Sequence, residues 1–185
     1  ILLVILAYFY PLPGRNILHF LWVKVNLLEK RGREHYLKIS HILVPTDFSP
    51  FSDLAIQNAA FFCKVFDAQL TLAHVLTLSE VNALTSEPGN PWENVIQAIQ
   101  NNMQQEYNKN SSECQLGKNP ILEVLVGEPA EEIVKFAEEN QVNLIIMGTH
   151  GRTGLASIFL GSVTVDVIKK TCIPVTVIKC LSALH

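Results

Sequence analysis

Glycines and hydroxyl side chains recur in the second half of the chain at a spacing that suits an anion. Gly148 and Gly151 follow a short apolar run, and after nine intervening residues Gly161 and Ser162 stand at the predicted start of a helix. Glycine lets the backbone reach positive φ and lets N–H groups approach an anion without an intervening Cβ. The first amides of a helix add donors and a favourable dipole. The spacing therefore predicts a cradle for phosphate.

Two side chains extend this predicted cradle. Ser162 could cap the helix and donate its hydroxyl to a phosphate oxygen, and Arg152 could add a charge-assisted contact. The loop is neither a Walker A motif, which ends in Gly-Lys-Ser/Thr, nor GxGxxG. Because glycines after a strand often only form a turn, and a Gly-Ser pair often only starts a helix, spacing alone leaves both interpretations open.

A second strand end with chemical potential is Pro45-Thr46-Asp47. In an open parallel sheet, ligands bind outside the carboxyl ends of the strands where the strand order reverses. Asp47 is the one plausible metal ligand there, although aspartate also favours turns, so it could merely cap the next turn. His74 lies on a predicted central strand and is interpreted as a core histidine. For His150, inside the cradle, a turn-stabilising or phosphate-proximal role is preferred.

From residue 41 onward, short apolar runs alternate with helical stretches, a pattern typical of βαβ units on a parallel sheet. The runs are apolar at consecutive positions, which indicates strands buried on both faces. The predicted strands cover residues 42–44, 70–75, 121–126, 142–147 and 173–178. Helices are predicted over residues 50–66, 91–110, from 129 onward, and 161–171, and residues 76–91 are predicted to form a loop.

Composition limits the function classes. The 185 residues, 49% of them hydrophobic, predict one packed globular domain and exclude disorder, collagen and coiled coil. The net charge of −3 and the lack of a basic run argue against a nucleic-acid partner. The four cysteines form no CxxC pair and the histidines are scattered, so we expect no metal site of the protein's own and a reduced, cytoplasmic location.

Residues 1–40 differ from the rest. They begin with ten apolar residues, break at Pro11, Pro13 and Gly14, and become apolar again. The first run is only about half of the roughly 20 residues that a transmembrane helix needs. An upstream addition, a packed arm or extra strand, and a membrane anchor remain open, the last being least favoured. The predicted organisation is an arm over residues 1–40, a domain over 41–180 and a tail over 181–185.

The spacing Gly148-x2-Gly151-x9-Gly161-Ser162 resembles the G-2x-G-9x-G-S motif of the universal stress protein family, specifically its ATP-binding branch. The first and last predicted strands, at residues 42–47 and 173–178, also resemble that family, and the likeness extends over residues 41–179. The resemblance implies a single α/β domain of Rossmann-like type. Its sheet would have five parallel strands in the order 3-2-1-4-5, with helices on both faces.

The resemblance also implies a nucleotide site that binds ATP or AMP, with Mg²⁺ possible alongside ATP. Asp47 and the backbone at Val75 would lie by the adenosine, and the motif residues would hold the phosphates; Arg152 and Val163 are weaker assignments. The full implied set is Pro45, Thr46, Asp47, Val75, Met147, Gly148, Gly151, Arg152, Gly161, Ser162 and Val163. The family also implies a homodimer formed through the last strand.

Three functions are consistent with these features. The preferred one is an adenine-nucleotide-binding protein that acts as a sensor or regulator in the stress response. The alternative is an enzyme, a slow ATP hydrolase or phosphotransferase that uses the same cradle, which would also need a placed metal ligand and a group to orient the nucleophile. In a third hypothesis the apolar arm docks the domain onto a partner or, with less support, a membrane.

Overall fold

The computed structural model describes residues 39–85, 91–111, 119–149 and 160–178, together with the backbone of residues 2–12 and 15–25. One seven-stranded sheet organises them. In chain order the elements are β1 (Leu2–Leu12), β2 (Arg15–Val25), β3 (His41–Pro45), α1 (Pro50–Phe66), β4 (Gln69–Leu76), α2 (Leu78–Thr85), α3 (Trp92–Ser111), β5 (Ile121–Val126), α4 (Pro129–Glu139), β6 (Leu144–Gly148), α5 (Ser162–Lys170) and β7 (Val175–Ile178).

Five parallel strands form the main part of the sheet, in the order β5-β4-β3-β6-β7. Numbered within the domain, this is the predicted order 3-2-1-4-5, and the prediction is confirmed. The chain proceeds from β3 to β4 and β5 on one side, then returns to place β6 and β7 on the other side of β3. The strand order therefore reverses between β3 and β6.

Two apolar cores flank the sheet, as predicted for helices on both faces. Ile42 and Val44 of β3 face α1 and α3, whose buried residues include Ile56 and Met103. The intervening Leu43 faces the opposite side, in the core that α4 and α5 cover. Because successive side chains of a strand point to opposite faces, this double cover explains why β3 is apolar at consecutive positions.

Helix α1 illustrates how local sequence sets an element. Ser49 is its N-cap and accepts a hydrogen bond from the Ser52 amide at 3.3 Å, and Pro50 occupies the first turn. Its C-cap, Asp67, is left-handed at φ 52°. The predicted span of residues 50–66 is confirmed, because hydroxyl caps and an early proline are helix-start signals that act within a few residues.

Two predictions about the elements outside the site were wrong. The predicted loop at residues 76–91 contains α2, which begins with a capping box: the Glu80 carboxylate accepts from the Thr77 amide at 2.8 Å, and the Thr77 hydroxyl accepts from the Glu80 amide at 3.3 Å. None of the α2 residues is buried, so its apolar stripe is weak. The second error concerns β5, predicted to be buried on both faces. It lies at the sheet edge, and Ile121 is 44% exposed.

The first two strands form an antiparallel hairpin, β1 with β2. The hairpin joins the sheet because β2 pairs antiparallel with β7, through Trp22↔Val177 and Val23↔Thr176. The division into arm, domain and tail remains a prediction, and residues 181–185 lie outside the described part. Across the residues searched, no helix combines the length and the apolar character that a membrane crossing requires.

Candidate functional site

The structure brings the two predicted strand ends together. β3 and β6 are parallel neighbours, with Ile42 beside Leu144 and Leu43 beside Ile145, so the residues that follow them emerge at the same edge of the sheet. Pro45, Thr46 and Asp47 belong to one exit and Gly148 to the other. This is the point at which the strand order reverses, where open α/β sheets bind ligands.

The turn after β3 is fixed by hydrogen bonds on both sides of Thr46. The Thr46 amide donates to the Ala73 carbonyl at 2.8 Å, and the His74 ring Nδ1 lies 2.8 Å from the Thr46 carbonyl oxygen. The Thr46 hydroxyl oxygen accepts from the Phe48 amide at 3.1 Å, and Phe48 has φ 62°. His74 is 5% exposed, so the interpretation as a hydrogen-bonded core histidine is confirmed.

Asp47 lies within this turn and is partly exposed. Its Oδ1 accepts a hydrogen bond from the Ser49 amide at 3.1 Å, an Asx turn. The turn-capping role that the sequence left open is therefore present. This hydrogen bond orients the Asp47 carboxylate at the carboxyl ends of the strands. It does not by itself prevent the carboxylate from contacting a ligand.

A buried carboxylate that the sequence analysis missed lies beneath the turn. Glu106 of α3 is 9% exposed; its Oε2 accepts from the Thr46 hydroxyl at 2.8 Å and its Oε1 from the Ser52 hydroxyl at 3.2 Å. Burial, with a smaller effect from the neighbouring Asp53, raises the pKa of Glu106 to about 7. The available signal was its place on the helix, three residues after the buried Met103 on the same inward stripe.

The exit from β6 is also closely packed. Met147 is 5% exposed, and Gly148 accepts a hydrogen bond at its carbonyl from the Thr164 hydroxyl at 3.0 Å. The expectation of positive φ does not hold for Gly148: among the described glycines only Gly127 has it. A Cβ at Gly148 would instead lie 2.8 Å from the carbonyl oxygen of Phe51 in α1. Glycine is needed there so that β6 and α1 can pack closely.

The start of α5 differs from the prediction in one respect. Gly161, at φ −60° and ψ 150°, is the N-cap, and Ser162 is the first helical residue, so Ser162 does not cap the helix. No side-chain cap bonds this end within the described residues. Ser162 is exposed and Val163 half-buried, and the Gly161 amide donates to the Thr149 carbonyl at 2.6 Å, which holds the start of α5 close to the end of β6.

The remaining predicted site residues lie partly inside and partly outside the described part of the chain. Val75 of β4 is partly buried and pairs with Leu125 of β5. Gly151, Arg152 and His150 lie outside the described residues, so their roles stay predictions. Among the side chains that the structure describes, no three of His, Cys, Asp or Glu come together in a way that could hold a metal ion.

Comparison with known proteins identifies the family. Residues 38–179 match the sequence model of the universal stress protein family. The chain belongs to this family. Among its relatives, universal stress protein MJ0531 of Methanocaldococcus jannaschii is 36% identical over 156 residues, which cover 84% of this chain and 89% of the relative.

Solved structures agree with this membership. The structure of MJ0577, from the same organism, has a TM-score of 0.64 at 36% identity and covers 79% of this universal stress protein and 99% of that chain. A universal stress protein from Archaeoglobus fulgidus, solved in complex with dAMP, has a TM-score of 0.54 at 25% identity and covers 77% and 99% of the two chains.

Proposed function

We propose that this universal stress protein binds an adenine nucleotide, AMP or ATP, between the ends of β3 and β6, and acts in the cytoplasm as a sensor or regulator of the stress response. In this proposal Asp47 and the backbone at Val75 contact the adenosine. Gly148, Gly161 and Ser162 hold the phosphates, together with the predicted contributions of Gly151 and Arg152. A protein with this site belongs to the ATP-binding branch of the family.

The observation that carries the proposal is the arrangement at the strand-order reversal. The exit of β6 continues to α5, whose N-terminus has no side-chain cap in the described residues, whereas α1 on the other side of the site is capped by Ser49. The first amides of a helix have no partner within the helix itself, so these amides and the hydroxyl of the exposed Ser162 are suitable donors for a phosphate group. The donor set therefore fits an anionic ligand.

The relative solved with dAMP supports adenine as the base. The choice between AMP and ATP is the finer part of the proposal. With ATP, Mg²⁺ would accompany the phosphates and neutralise part of their charge. The protein's own residues bind and orient the nucleotide through main-chain donors, so binding alone does not require the ion.

The proposal also includes a homodimer formed through the last strand, β7. The hairpin of β1 and β2 limits how such a dimer can form. A second copy could add to β7 only at the edge that β2 occupies at Trp22↔Val177 and Val23↔Thr176. The hairpin would have to leave that edge first. The nucleotide site lies at the ends of the strands and does not depend on this edge.

Thermal unfolding with nucleotide tests the proposed binding. A ligand at one hundred times its Kd adds about 2.7 kcal/mol to the stability of the folded state. For a chain of this size the expected rise in melting temperature is roughly 5 to 10 °C. AMP and ATP are compared with GMP and GTP as controls. A change below about one degree with every adenine nucleotide at millimolar concentration would reject the proposal. Mass spectrometry of small molecules that co-purify with the protein would identify the nucleotide directly.

A further inference from the structure

Glu106 connects α3 to the turn that carries Asp47. The turn runs from Thr46, bonded to Glu106 at 2.8 Å, to the N-cap of α1, and Ser52 in the first turn of α1 bonds the other carboxylate oxygen at 3.2 Å. The Thr46 hydroxyl meanwhile accepts from the Phe48 amide at 3.1 Å. One buried carboxylate thus holds residues on both sides of Asp47.

We propose that Glu106 is a positioning residue for the nucleotide site: through the hydroxyls of Thr46 and Ser52, it holds the turn after β3 so that Asp47 can contact the adenosine. This inference rests on the proposed function and deepens it. The ionised carboxylate accepts from the Thr46 hydroxyl at 2.8 Å, and it shares the single proton of the Ser52 hydroxyl, at 3.2 Å, with the Ser49 carbonyl oxygen at 2.8 Å. A protonated carboxyl carries a donor on one oxygen, so one of the two bonds must reverse its direction or break.

The surroundings of Glu106 set the pH range in which its carboxylate changes between the ionised and the protonated form. Burial places its pKa at about 7, so both forms are populated near neutral pH. From α1, Asp53 adds a negative charge that favours the protonated form. Lys109, on the same helix as Glu106, is exposed and pairs with Asp53 at 2.9 Å, which offsets part of that charge.

Two further titratable side chains belong to strands of the sheet that lie near the turn or pack against α3. His74 of β4 reaches the turn from below, with its Nδ1 2.8 Å from the Thr46 carbonyl oxygen. Glu123 of β5 lies between Leu122 and Val124, which pack against the core of α1 and α3, so Glu123 points to the opposite face of the sheet. Of the groups described, Glu106 is the one bonded to the hydroxyl of Thr46, and it is therefore the one to vary.

The test compares three proteins: the wild type, Glu106→Gln and Glu93→Gln. The glutamine keeps the size of the side chain but offers one acceptor oxygen, as the protonated carboxyl does. Glu93 lies on the same helix and is exposed, which makes Glu93→Gln a matched control. The Kd for AMP is measured by calorimetry from pH 5.5 to 8.5. The ratio of the variant's Kd to that of the wild type is taken at each pH, so the titration of the AMP phosphate cancels.

We expect the Kd of Glu106→Gln to exceed that of the wild type about tenfold at pH 8.5, the effect of one hydrogen bond to a charged group, and to match it at pH 5.5. Glu93→Gln should follow the wild type throughout. A ratio that is constant over the whole range would overturn the inference. So would tighter binding by Glu106→Gln at high pH, because that result would indicate charge repulsion of the phosphate and not positioning.

A double-mutant cycle guards against a general loss of structure. Thr46→Val removes the hydroxyl that links Glu106 to the turn while keeping the shape of the side chain. If Glu106 acts through this hydroxyl, adding Glu106→Gln to Thr46→Val should weaken AMP binding at pH 8.5 much less than Glu106→Gln does alone. Full additivity contradicts the inference. If the wild type binds no adenine nucleotide at any pH, the proposed function itself fails, which is a distinguishable result.

Discussion

Gly148 at the end of β6 packs directly against the main chain of Phe51 in α1, and a Cβ at this glycine would lie 2.8 Å from the Phe51 carbonyl oxygen and 2.9 Å from its carbonyl carbon. The neighbouring atoms belong largely to the backbone of a helix, which cannot move away as the end of a long side chain can. The contact fixes the distance between the exit of β6 and the start of α1, the two sides of the proposed nucleotide site.

We therefore expect Gly148→Ala to lower the free energy of unfolding by about 1 to 3 kcal/mol, the usual cost of overpacking. Nucleotide affinity should fall as well, since β6 and α1 would be pushed apart. Urea unfolding and calorimetry with AMP measure the two effects. If Gly148→Ala is as stable as the wild type, β6 and α1 can move apart at little cost, and the close contact between Gly148 and Phe51 does not require glycine.

The pH dependence of stability provides a second prediction. Glu106 has a pKa of about 7 in the folded protein, against a reference value of 4.5. The folded state therefore binds more protons than the unfolded state between these values, so the stability contributed by this group is complete below about pH 4.5 and is lost as the pH rises through 7. The expected loss is about 1 to 3 kcal/mol.

Urea unfolding of wild type, Glu106→Gln and Glu93→Gln at several pH values between 4.5 and 8 measures this effect. Glu106→Gln should lack this contribution, and Glu93→Gln should keep it. Stability and AMP affinity are then expected to change in opposite directions with pH in the wild type. A pH dependence that survives in Glu106→Gln would assign the titration to another group.

Two serines at helix starts should respond differently to truncation. Ser49 caps α1, so Ser49→Ala should reduce stability by about 1 kcal/mol. Ser162 is exposed and does not cap α5, so Ser162→Ala should leave stability nearly unchanged and weaken nucleotide binding by the equivalent of one hydrogen bond, about 1 kcal/mol. Thermal unfolding with and without AMP tests both. Unchanged affinity in Ser162→Ala would remove this serine from the phosphate site.

Asp47 allows its turn and ligand roles to be separated. Asp47→Asn keeps an oxygen that can accept from the Ser49 amide, whereas Asp47→Ala loses it. We expect the alanine variant to lose at least about tenfold in AMP affinity and the asparagine variant to lose less, because the adenosine would lose an acceptor only in the former. Equal affinity for AMP in all three proteins would exclude Asp47 from the site.

The hairpin gives a prediction about assembly. The edge of β7 is covered by β2, and an uncovered edge strand readily pairs with another chain. A chain that begins at residue 38 should therefore double its mass in light scattering at a concentration at which the full chain remains monomeric. The opposite result, a full-length dimer that becomes a monomer on truncation, would place the dimer contact on the hairpin.

Much of the fold follows from local sequence. Apolar runs of the right length predicted the five parallel strands to within a few residues, and the Ser49-Pro50 start predicted α1 with its observed bounds. The order of the sheet was predicted from the family resemblance carried by Gly148, Gly151, Gly161 and Ser162. Periodicity identifies a strand but does not show which strands pair with it. Helix α2 was missed because its polar sequence has no buried face, although Thr77 and Glu80 carried a capping signal.

The sequence by itself thus determined the five parallel strands, helix α1, the glycine spacing and the family, since these depend on residues close together along the chain. The tertiary structure alone decided that Glu106 supports Thr46 from sixty residues away, that Gly148 must admit the backbone of Phe51, and that β2 covers the edge of β7. Such contacts depend on which segments the folded chain brings together and how closely. The pattern of a single segment does not contain that information.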